Sequence, residues 1–366
     1  LLGLIFIMTL AGFEMDPALL KIEKKTMFNL SVLTTIVPVA AGMLIAKHLR
    51  LNMSGILVFA SLFASHSVGI VFPIIKELNI TKTRFGISIL GATMITDIIS
   101  IIILSVAIQM HLQIESYNVS VHSFFSIFNY INLGNNAILH LAVFIAFMLA
   151  YFYFSFFHAP GLLAKLAHKF KTVTLHTPLF FLFVILSFII AGEFLGINLI
   201  VGAFTAGIAI SLSGILNSFE DMDKVLNQIG YGIFVPFMFY YIGTQTRIEM
   251  LFQLKNIVVT VIICTGLIAS KLISGYIAMK MSGFNNIKSI CAGLMTVPQL
   301  TATLAAANIA KNLNILSDDL FTSIVVLSIV TTIPVPIIIQ YLIKKFKPRF
   351  DHIDAKISHL PKEPII

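Results

Sequence analysis

Long runs of apolar residues constrain this chain more than any other feature of its sequence. Two of the clearest runs cover residues 86–110 and 257–281, and each exceeds the roughly 20 residues that a helix needs to cross a bilayer. Hydrophobic residues make up 58% of the chain and charged residues only 11%, and the mean hydropathy is +0.98. These values predict an all-α polytopic membrane protein. An outer-membrane barrel is excluded, because its strands would alternate apolar and polar residues over about ten positions.

Runs of this kind predict about eleven membrane-spanning helices. The predicted segments are residues 1–14, 27–49, 53–75, 84–110, 136–158, 178–195, 197–216, 228–241, 251–281, 288–310 and 320–346. The chain begins with Leu1, already inside an apolar run, so we expect a single transmembrane domain over residues 1–366 that lacks its own N-terminal start. Residues 348–366 are polar and are expected to form a short tail.

Most basic residues fall in predicted loops on one side of the membrane. They are Lys21, Lys24, Lys25, Lys76, Lys82, Arg84, Lys165, Lys169, Lys171, Lys344, Lys345, Lys347 and Arg349. The positive-inside rule places these loops and the C-terminus in the cytoplasm. The net charge of +8 therefore indicates topology and contact with anionic lipid, and no nucleic-acid partner is expected.

Asp97 and Lys271 are charged residues near the middle of the two clearest apolar runs. Charges at that depth are costly, face a protein interior or a wet cavity, and commonly serve ion or proton pathways. One buried acid and one buried base therefore predict ion or proton transport. A single carboxylate can bind a cation or a proton in turn, so Asp97 is the candidate shared site. Lys271 could neutralise Asp97, release a second proton, or serve as a static partner of helix ends.

Two of the predicted helices contain polar interruptions. One covers residues 64–69, with the sequence Ala-Ser-His-Ser-Val-Gly, and the other covers residues 296–301, around Pro298 and Gln299. Broken helices at matching depth are a recurring transporter device, often within inverted repeats. We expect two core triplets, approximately residues 27–110 and 251–347, related by an inverted repeat with crossed broken helices. Asp97 and Lys271 could then compensate the partial charges of the half-helix ends.

Polar groups around the first interruption are candidate ion ligands. Thr96 and Ser67 could supply hydroxyl oxygens, and the broken backbone near Ser65 could supply carbonyls. The alternative is that both hydroxyls simply bond to a helix carbonyl, as such residues commonly do in membranes. His66 is a candidate pH sensor, against the alternative of a packed, hydrogen-bonded histidine. Pro298 and Gln299 are expected to shape the second interruption.

No enzyme motif is present in the sequence. A Walker loop, a nucleotide-binding glycine fingerprint and a zinc-ligand spacing are all missing, so neither catalysis nor a cofactor is expected. ATP-driven transport by this chain is therefore not expected.

Several motifs resemble the monovalent cation:proton antiporter-2 family, the bacterial sodium/proton and potassium/proton exchangers. They are Gly91-Ala92-Thr93-Met94-Ile95-Thr96-Asp97, Gly202-Ala203-Phe204-Thr205-Ala206-Gly207, Phe234-Val235-Pro236-Phe237-Met238-Phe239, the surroundings of Lys271, and Val297-Pro298-Gln299-Leu300. The resemblance implies about thirteen helices with inverted repeats, of which roughly the first two would be missing here. It also implies a homodimer in a bacterial-type inner membrane, with dimer-side helices at approximately 1–14 and 178–216 and an elevator-like movement of the core.

The sequence departs from the family pattern at three places. The family's paired acids appear here as Thr96-Asp97, so only the second acid carries over, to Asp97. The Thr-Ser of the first broken helix appears as His66-Ser67. The Arg-Gly-Glu often found on the second appears as Gln299-Leu300-Thr301. The family's core lysine carries over to Lys271.

The combined prediction is a secondary active antiporter that exchanges Na⁺ or K⁺ for H⁺, with Asp97 binding cation and proton alternately. Two alternatives stay open at this point: a sodium-coupled symporter of an organic anion, and a ligand-gated potassium efflux system. The sequence leaves the choice between Na⁺ and K⁺ open, because a few hydroxyl groups do not determine the size of the site.

Overall fold

The computed structural model describes residues 2–13, 23–78, 80–81, 83–116, 127, 137–169, 178–215 and 222–346, and these contain no β-strand. The helices are α1 Leu2–Phe13, α2 Lys24–His48, α3 Met53–Ala64, α4 Val68–Glu77, α5 Arg84–Ser116, α6 Ala137–Tyr153, α7 Ala159–Lys169, α8 Pro178–Phe194, α9 Leu199–Leu212, α10 Met222–Ile229, α11 Val235–Gln245, α12 Leu254–Met281, α13 Asn286–Met295, α14 Thr301–Asn312, α15 Asp318–Thr332 and α16 Pro334–Lys345. The predicted tail, 348–366, lies outside the described residues, as do Lys21, Lys82, Lys171 and Lys347.

Seven helical stretches among the described residues are long and apolar enough to cross a membrane. They are Lys24–His48, Met53–Glu77, Arg84–Leu112, Leu139–Ala167, Val225–Gln245, Leu254–Met281 and Asp318–Lys345. Shorter apolar helices cover Leu2–Phe13, Leu179–Phe194 and Leu199–Leu212. The predicted span at 288–310 is divided between α13 and α14. The all-α prediction agrees with this arrangement, and the count of eleven spans stays a prediction.

Some basic residues lie on helices rather than in the predicted loops. The helix predicted to end near residue 158 continues through a π-helical segment, Phe154–His158, into α7, so Lys165 and Lys169 lie on α7. The side chain of Lys165 is exposed, as the polar face of an amphipathic helix allows. Lys24 and Lys25 similarly form the start of α2.

The helices pack in two groups. In the larger group, α12 packs against α2, α13 and α15, while α3 packs against α2, α5 and α14. In the smaller group, α9 packs against α1 and α8, and α1 also contacts α11. Close approach depends on small residues, as is common between helices in membranes. An added Cβ at Gly207 on α9, for example, would lie 2.9 Å from the Cα of Gly12 on α1.

Two helical stretches of the larger group are interrupted. The first breaks between Ala64 and Val68, where Ser65 has an extended backbone with ψ 160°. The second breaks between Met295 and Thr301, where Pro298 has no N–H to continue a helical ladder. Both interruptions lie in the predicted stretches, and they divide each stretch into two half-helices.

We predict that Gly275→Ala destabilises the protein by about 1–3 kcal/mol, the usual cost of overpacking. A Cβ at Gly275 on α12 would lie 2.6 Å from Gly293 Cα and 3.1 Å from Gly293 N on α13, so backbone would have to move. Thermal unfolding of the purified protein measures the change.

Gly243→Ala is the matched control, because a Cβ at Gly243 on α11 meets nothing within 4 Å. Alanine is also the better helix former there. Equal unfolding temperatures for the two variants would contradict the close packing of α12 on α13.

Candidate functional site

The two interruptions contact each other. The backbone N–H of Ser67, just before α4, donates to the carbonyl of Pro298 at 3.0 Å. The side-chain amide of Gln299 donates to the carbonyl of Ser65 at 2.8 Å. These bonds join segments more than 230 residues apart in sequence, and they pair backbone groups that the interruptions release from their helices.

Gln299 lies at the centre of a buried hydrogen-bond network. Its Oε1 accepts from the hydroxyl of Ser65 at 3.0 Å and from the hydroxyl of Thr303. The two hydroxyls also lie 3.0 Å apart, and the backbone N–H of Gln299 donates to Thr331 Oγ1 at 3.2 Å. The neutral side-chain amide of Gln299 thus connects α14 to the first interruption, and its backbone N–H adds a bond to α15.

Asp97 lies on α5, against the backbone of the first interruption. Its Oδ1 accepts from the backbone N–H of His66 at 3.3 Å, and the side chain is only 4% exposed. The neighbouring α4 directs its N-terminal end, which carries partial positive charge, toward the same interruption. A carboxylate in this position gains both a hydrogen bond and a favourable helix end, which offsets part of the cost of burying it.

Hydrogen bonds assign the tautomer of His66. Its Nδ1 lies 2.5 Å from Thr96 Oγ1, and the same hydroxyl donates its proton to the carbonyl of Thr93 at 2.9 Å. Since a hydroxyl has one proton, Nδ1 is the donor to Thr96 and Nε2 presents a lone pair. Among the described residues, His66 Nε2 and Ser67 Oγ have no hydrogen-bond partner. Two buried polar atoms near Asp97 are thus available to a ligand.

Lys271, on α12, binds backbone carbonyls. Its Nζ donates to Ala64 O and Ser65 O at 2.9 Å each and to Thr34 O at 3.3 Å. Ala64 is the last residue of α3, so the ammonium lies against the partly negative C-terminal end of that half-helix. Lys271 also interacts electrostatically with Asp97 and His66. The static role that the sequence left open for Lys271 therefore has a structural basis.

Comparison with known proteins identifies the family. A family model described as "Sodium/hydrogen exchanger, transmembrane" matches residues 1–345. The chain belongs to this family. It is therefore an integral membrane transporter and not an enzyme, and the resemblance found in the sequence motifs is confirmed at the level of the family.

Relatives of the exchanger cover most of its length. It is 36% identical to "Probable Na(+)/H(+) antiporter 3" of Methanocaldococcus jannaschii, over 93% of this chain and 82% of the relative. It is 24% identical to an Na⁺/H⁺ antiporter of Enterococcus hirae, over 94% of this chain and 84% of the relative. An Na⁺/H⁺-K⁺ antiporter of Bacillus cereus is 26% identical, over 93% and 81%.

The structure brings the predicted site residues of the exchanger together. Around the contact between the two interruptions lie Ser65, His66, Ser67, Thr96, Asp97, Lys271, Pro298 and Gln299, all buried. Sequence reasoning missed Thr303, which completes the Gln299 network. Thr303 lies on α14, two residues after the helix begins and four after Gln299, and this closeness in sequence was the available signal.

A separate cavity of about 670 Å³ lies where α14 leads into α15. It is lined by Leu51, Lys311, Asn312, Asn314, Ile315, Leu316, Ser317, Asp318 and Leu320, and it includes none of the predicted site residues. Lys311 Nζ lies 3.1 Å from Asp318 Oδ1 and donates to Gln245 O at 2.9 Å. This cavity belongs to the rim of the exchanger, and its charges are already paired.

We predict that Gln299→Met destabilises the exchanger by about 1–3 kcal/mol, the cost of leaving buried polar groups unpaired. Methionine nearly matches the volume of glutamine but offers no amide to Ser65 or Thr303. Thermal unfolding measures the change.

Gln340→Met is the matched control for this substitution. The side chain of Gln340 donates a hydrogen bond to Glu77 Oε2 at 2.8 Å, at the surface. We expect the loss of this hydrogen bond to change the stability of the protein little. If both variants unfold at the wild-type temperature, the Gln299 network contributes no stability.

Proposed function

We propose that the exchanger is a secondary active antiporter that exchanges Na⁺ or K⁺ for H⁺, with Asp97 binding cation and proton alternately. The observation that carries this proposal is the position of Asp97, buried at the contact between the two interruptions, near two acceptor atoms that have no partner among the described residues. The relatives named as Na⁺/H⁺ antiporters, and the one named as an Na⁺/H⁺-K⁺ antiporter, support the class of transported ions.

A carboxylate and a hydroxyl oxygen are suitable ligands for a small hard cation, and an unprotonated imidazole nitrogen is a weaker one. Ser67 Oγ and His66 Nε2 would supply the last two, while Thr96 would act mainly by holding the imidazole, since its own hydroxyl proton goes to Thr93 O. The carbonyl of Ser65 would bind the cation only by exchanging one of the hydrogen bonds that it accepts from Lys271 and Gln299. A proton on Asp97 would cancel the charge that attracts the cation, so the two ions would compete.

We further propose that residues 27–110 and 251–347 are core triplets related by an inverted repeat. Three observations support this. Each region contains a helical stretch interrupted by several residues, these two interruptions contact each other, and the leading helices α2 and α12 pack together. The count of eleven spans is supported by the seven membrane-length stretches, the interrupted stretch of α13 and α14, and the three shorter apolar helices among the described residues.

The smaller helix group would form the dimer side of the exchanger, with residues 1–14 and 178–216. Its support is that α1 and α8 both pack mainly against α9, and that α8 exposes large apolar side chains such as Leu179, Phe183 and Ile190. We propose a homodimer in a bacterial-type inner membrane, an elevator-like movement of the core, and a cytoplasmic C-terminus. The last follows from the loop charges and the positive-inside rule.

The decisive prediction concerns Asp97→Asn, which keeps the shape of the side chain and removes its charge. We expect loss of transport, because an amide neither releases a proton nor attracts a cation strongly. Inside-out vesicles that hold a proton gradient would receive Na⁺, K⁺ or Li⁺ in turn, and a pH-sensitive dye would follow the gradient.

Glu77→Gln serves as the control, because Glu77 is an exposed carboxylate that accepts a hydrogen bond from Gln340 at the surface. Normal exchange by Asp97→Asn would refute the role of Asp97. If no cation changes the proton gradient in wild-type vesicles, the antiporter proposal itself is wrong. A sodium-coupled organic-anion symporter then becomes the next hypothesis to test.

Ser67→Ala tests the proposed ligand set separately. We expect a several-fold rise in the apparent KM for the cation with little change in the maximal rate, since one weak ligand is lost. Ser54→Ala is matched, because Ser54 is equally buried and its hydroxyl also has no partner among the described residues. Ser54 lies at the opposite end of α3, about 15 Å away by helical rise. Equal effects of the two variants would argue against Ser67 as a ligand.

A further inference from the structure

Pro38 lies in the interior of α2, which continues on both sides of it from Lys24 to His48. Proline has no backbone N–H, so the carbonyl four residues earlier loses its helical donor, and the proline ring also pushes against that carbonyl. In α2 the carbonyl concerned is that of Thr34. A buried carbonyl without a donor is costly in a membrane, so Thr34 O needs a partner from outside its own helix.

Lys271 supplies that partner. Its Nζ donates to Thr34 O at 3.3 Å and to Ala64 O and Ser65 O at 2.9 Å each. The last two carbonyls are available because α3 ends at Ala64. An ammonium group has three N–H donors, and these three carbonyls match that number. Two separate breaks in helical hydrogen bonding, one at a proline and one at a helix end, thus converge on the same buried charge.

We propose that Pro38 is a positioning residue of the exchanger. It frees Thr34 O as the third acceptor of a carbonyl cradle, formed by Thr34, Ala64 and Ser65, that holds the Lys271 ammonium at the end of α3. Lys271 and Asp97 bind backbone groups of adjacent residues, the carbonyl of Ser65 and the N–H of His66. An ammonium with a spare donor would turn toward that carboxylate and compete with the transported cation. The cradle therefore keeps Asp97 accessible to its ions, a consequence that rests on the proposed function.

A purely structural role for Pro38 makes a different prediction. Prolines kink transmembrane helices, and such a kink would matter whether or not residue 271 carries an ammonium group. The cradle, in contrast, requires that the effect of Pro38 depends on Lys271. A double-mutant cycle measures this dependence directly.

The first experiment compares the unfolding temperatures of Pro38→Ala, Lys271→Met and the double variant with that of the wild type. In the wild-type background, Pro38→Ala gives Thr34 O a helical donor that competes with the Lys271 ammonium for this carbonyl. In the Lys271→Met background, Pro38→Ala only gives a hydrogen-bond donor to Thr34 O, which has lost the ammonium group. We expect Pro38→Ala to be more favourable in the second background by about 2 °C or more. Equal shifts in both backgrounds would overturn the proposal, and this result does not depend on transport.

The second experiment needs only single variants, so it also applies if Lys271→Met does not fold. Pro38→Ala should raise the apparent KM for the cation about tenfold, in line with the strength of one hydrogen bond to a charged group, with the maximal rate changed less than about twofold. Val37→Ala, the neighbouring position, adds no backbone donor and should behave as wild type. An unchanged KM for Pro38→Ala would overturn the proposal. A wild type without exchange would instead refute the proposed function and leave the stability cycle as the test.

Discussion

Backbone hydrogen bonding at membrane depth is the constraint on which the rest of this structure depends. Hydrocarbon offers no partner to an exposed N–H or C=O group, so a helix can be interrupted there only where protein supplies the partners. Two helical stretches of the exchanger are interrupted, and the two interruptions contact each other. Each interruption thus supplies hydrogen-bond partners for the backbone groups of the other. Ser67 N–H pairs with Pro298 O, and Ser65 O accepts from both Lys271 and Gln299.

The two buried charges follow from this solution. Lys271 lies against the end of α3, where backbone carbonyls have no helical donor. Asp97 lies against the segment just before α4, where a backbone N–H has no helical acceptor. Each charge thus occupies the half-helix end of opposite sign, which lowers the cost of its burial. His66 uses its donor on Thr96, so its Nε2 is an acceptor, and the hydroxyl of Ser67 can offer a lone pair. A carboxylate beside such groups suits a cation or a proton.

Charges at the rim of the helix bundle differ from these in kind. Arg84 Nε lies 2.6 Å from Glu23 Oε1 and connects the start of α5 to the start of α2. Lys311 and Arg247 both pair with Asp318, which joins the loop after α11 to α15. These pairs are partly exposed, and such pairs contribute little stability individually. These pairs hold helix ends together, whereas the buried hydrogen bonds at the interruptions position the residues of the candidate site.

Much of this arrangement is local information and could be predicted from the sequence. Apolar run length predicts helices and their approximate ends, and the depth of Asp97 and Lys271 within those runs identifies them as functional candidates. Prolines and polar residues in the runs locate both interruptions. The position of Pro38 also predicts that Thr34 O lacks its helical donor, because a proline always frees the carbonyl four residues earlier. The neighbouring sequence does not predict which donor binds Thr34 O.

The partners were decided only by the tertiary structure. The acceptors of Lys271 lie 206 to 237 residues away in sequence, and the bonds of Gln299 to Ser65 span 234 residues. Helices such as α5 and α12 are apolar on nearly every side, so hydrophobic periodicity does not tell which face meets which neighbour. Sequence alone therefore determined that the chain forms membrane-length helices with one acid and one base at depth. Packing of the helices decided that the acid lies at a backbone donor and the base at three backbone acceptors, because only close approach of distant segments brings those groups within hydrogen-bond distance.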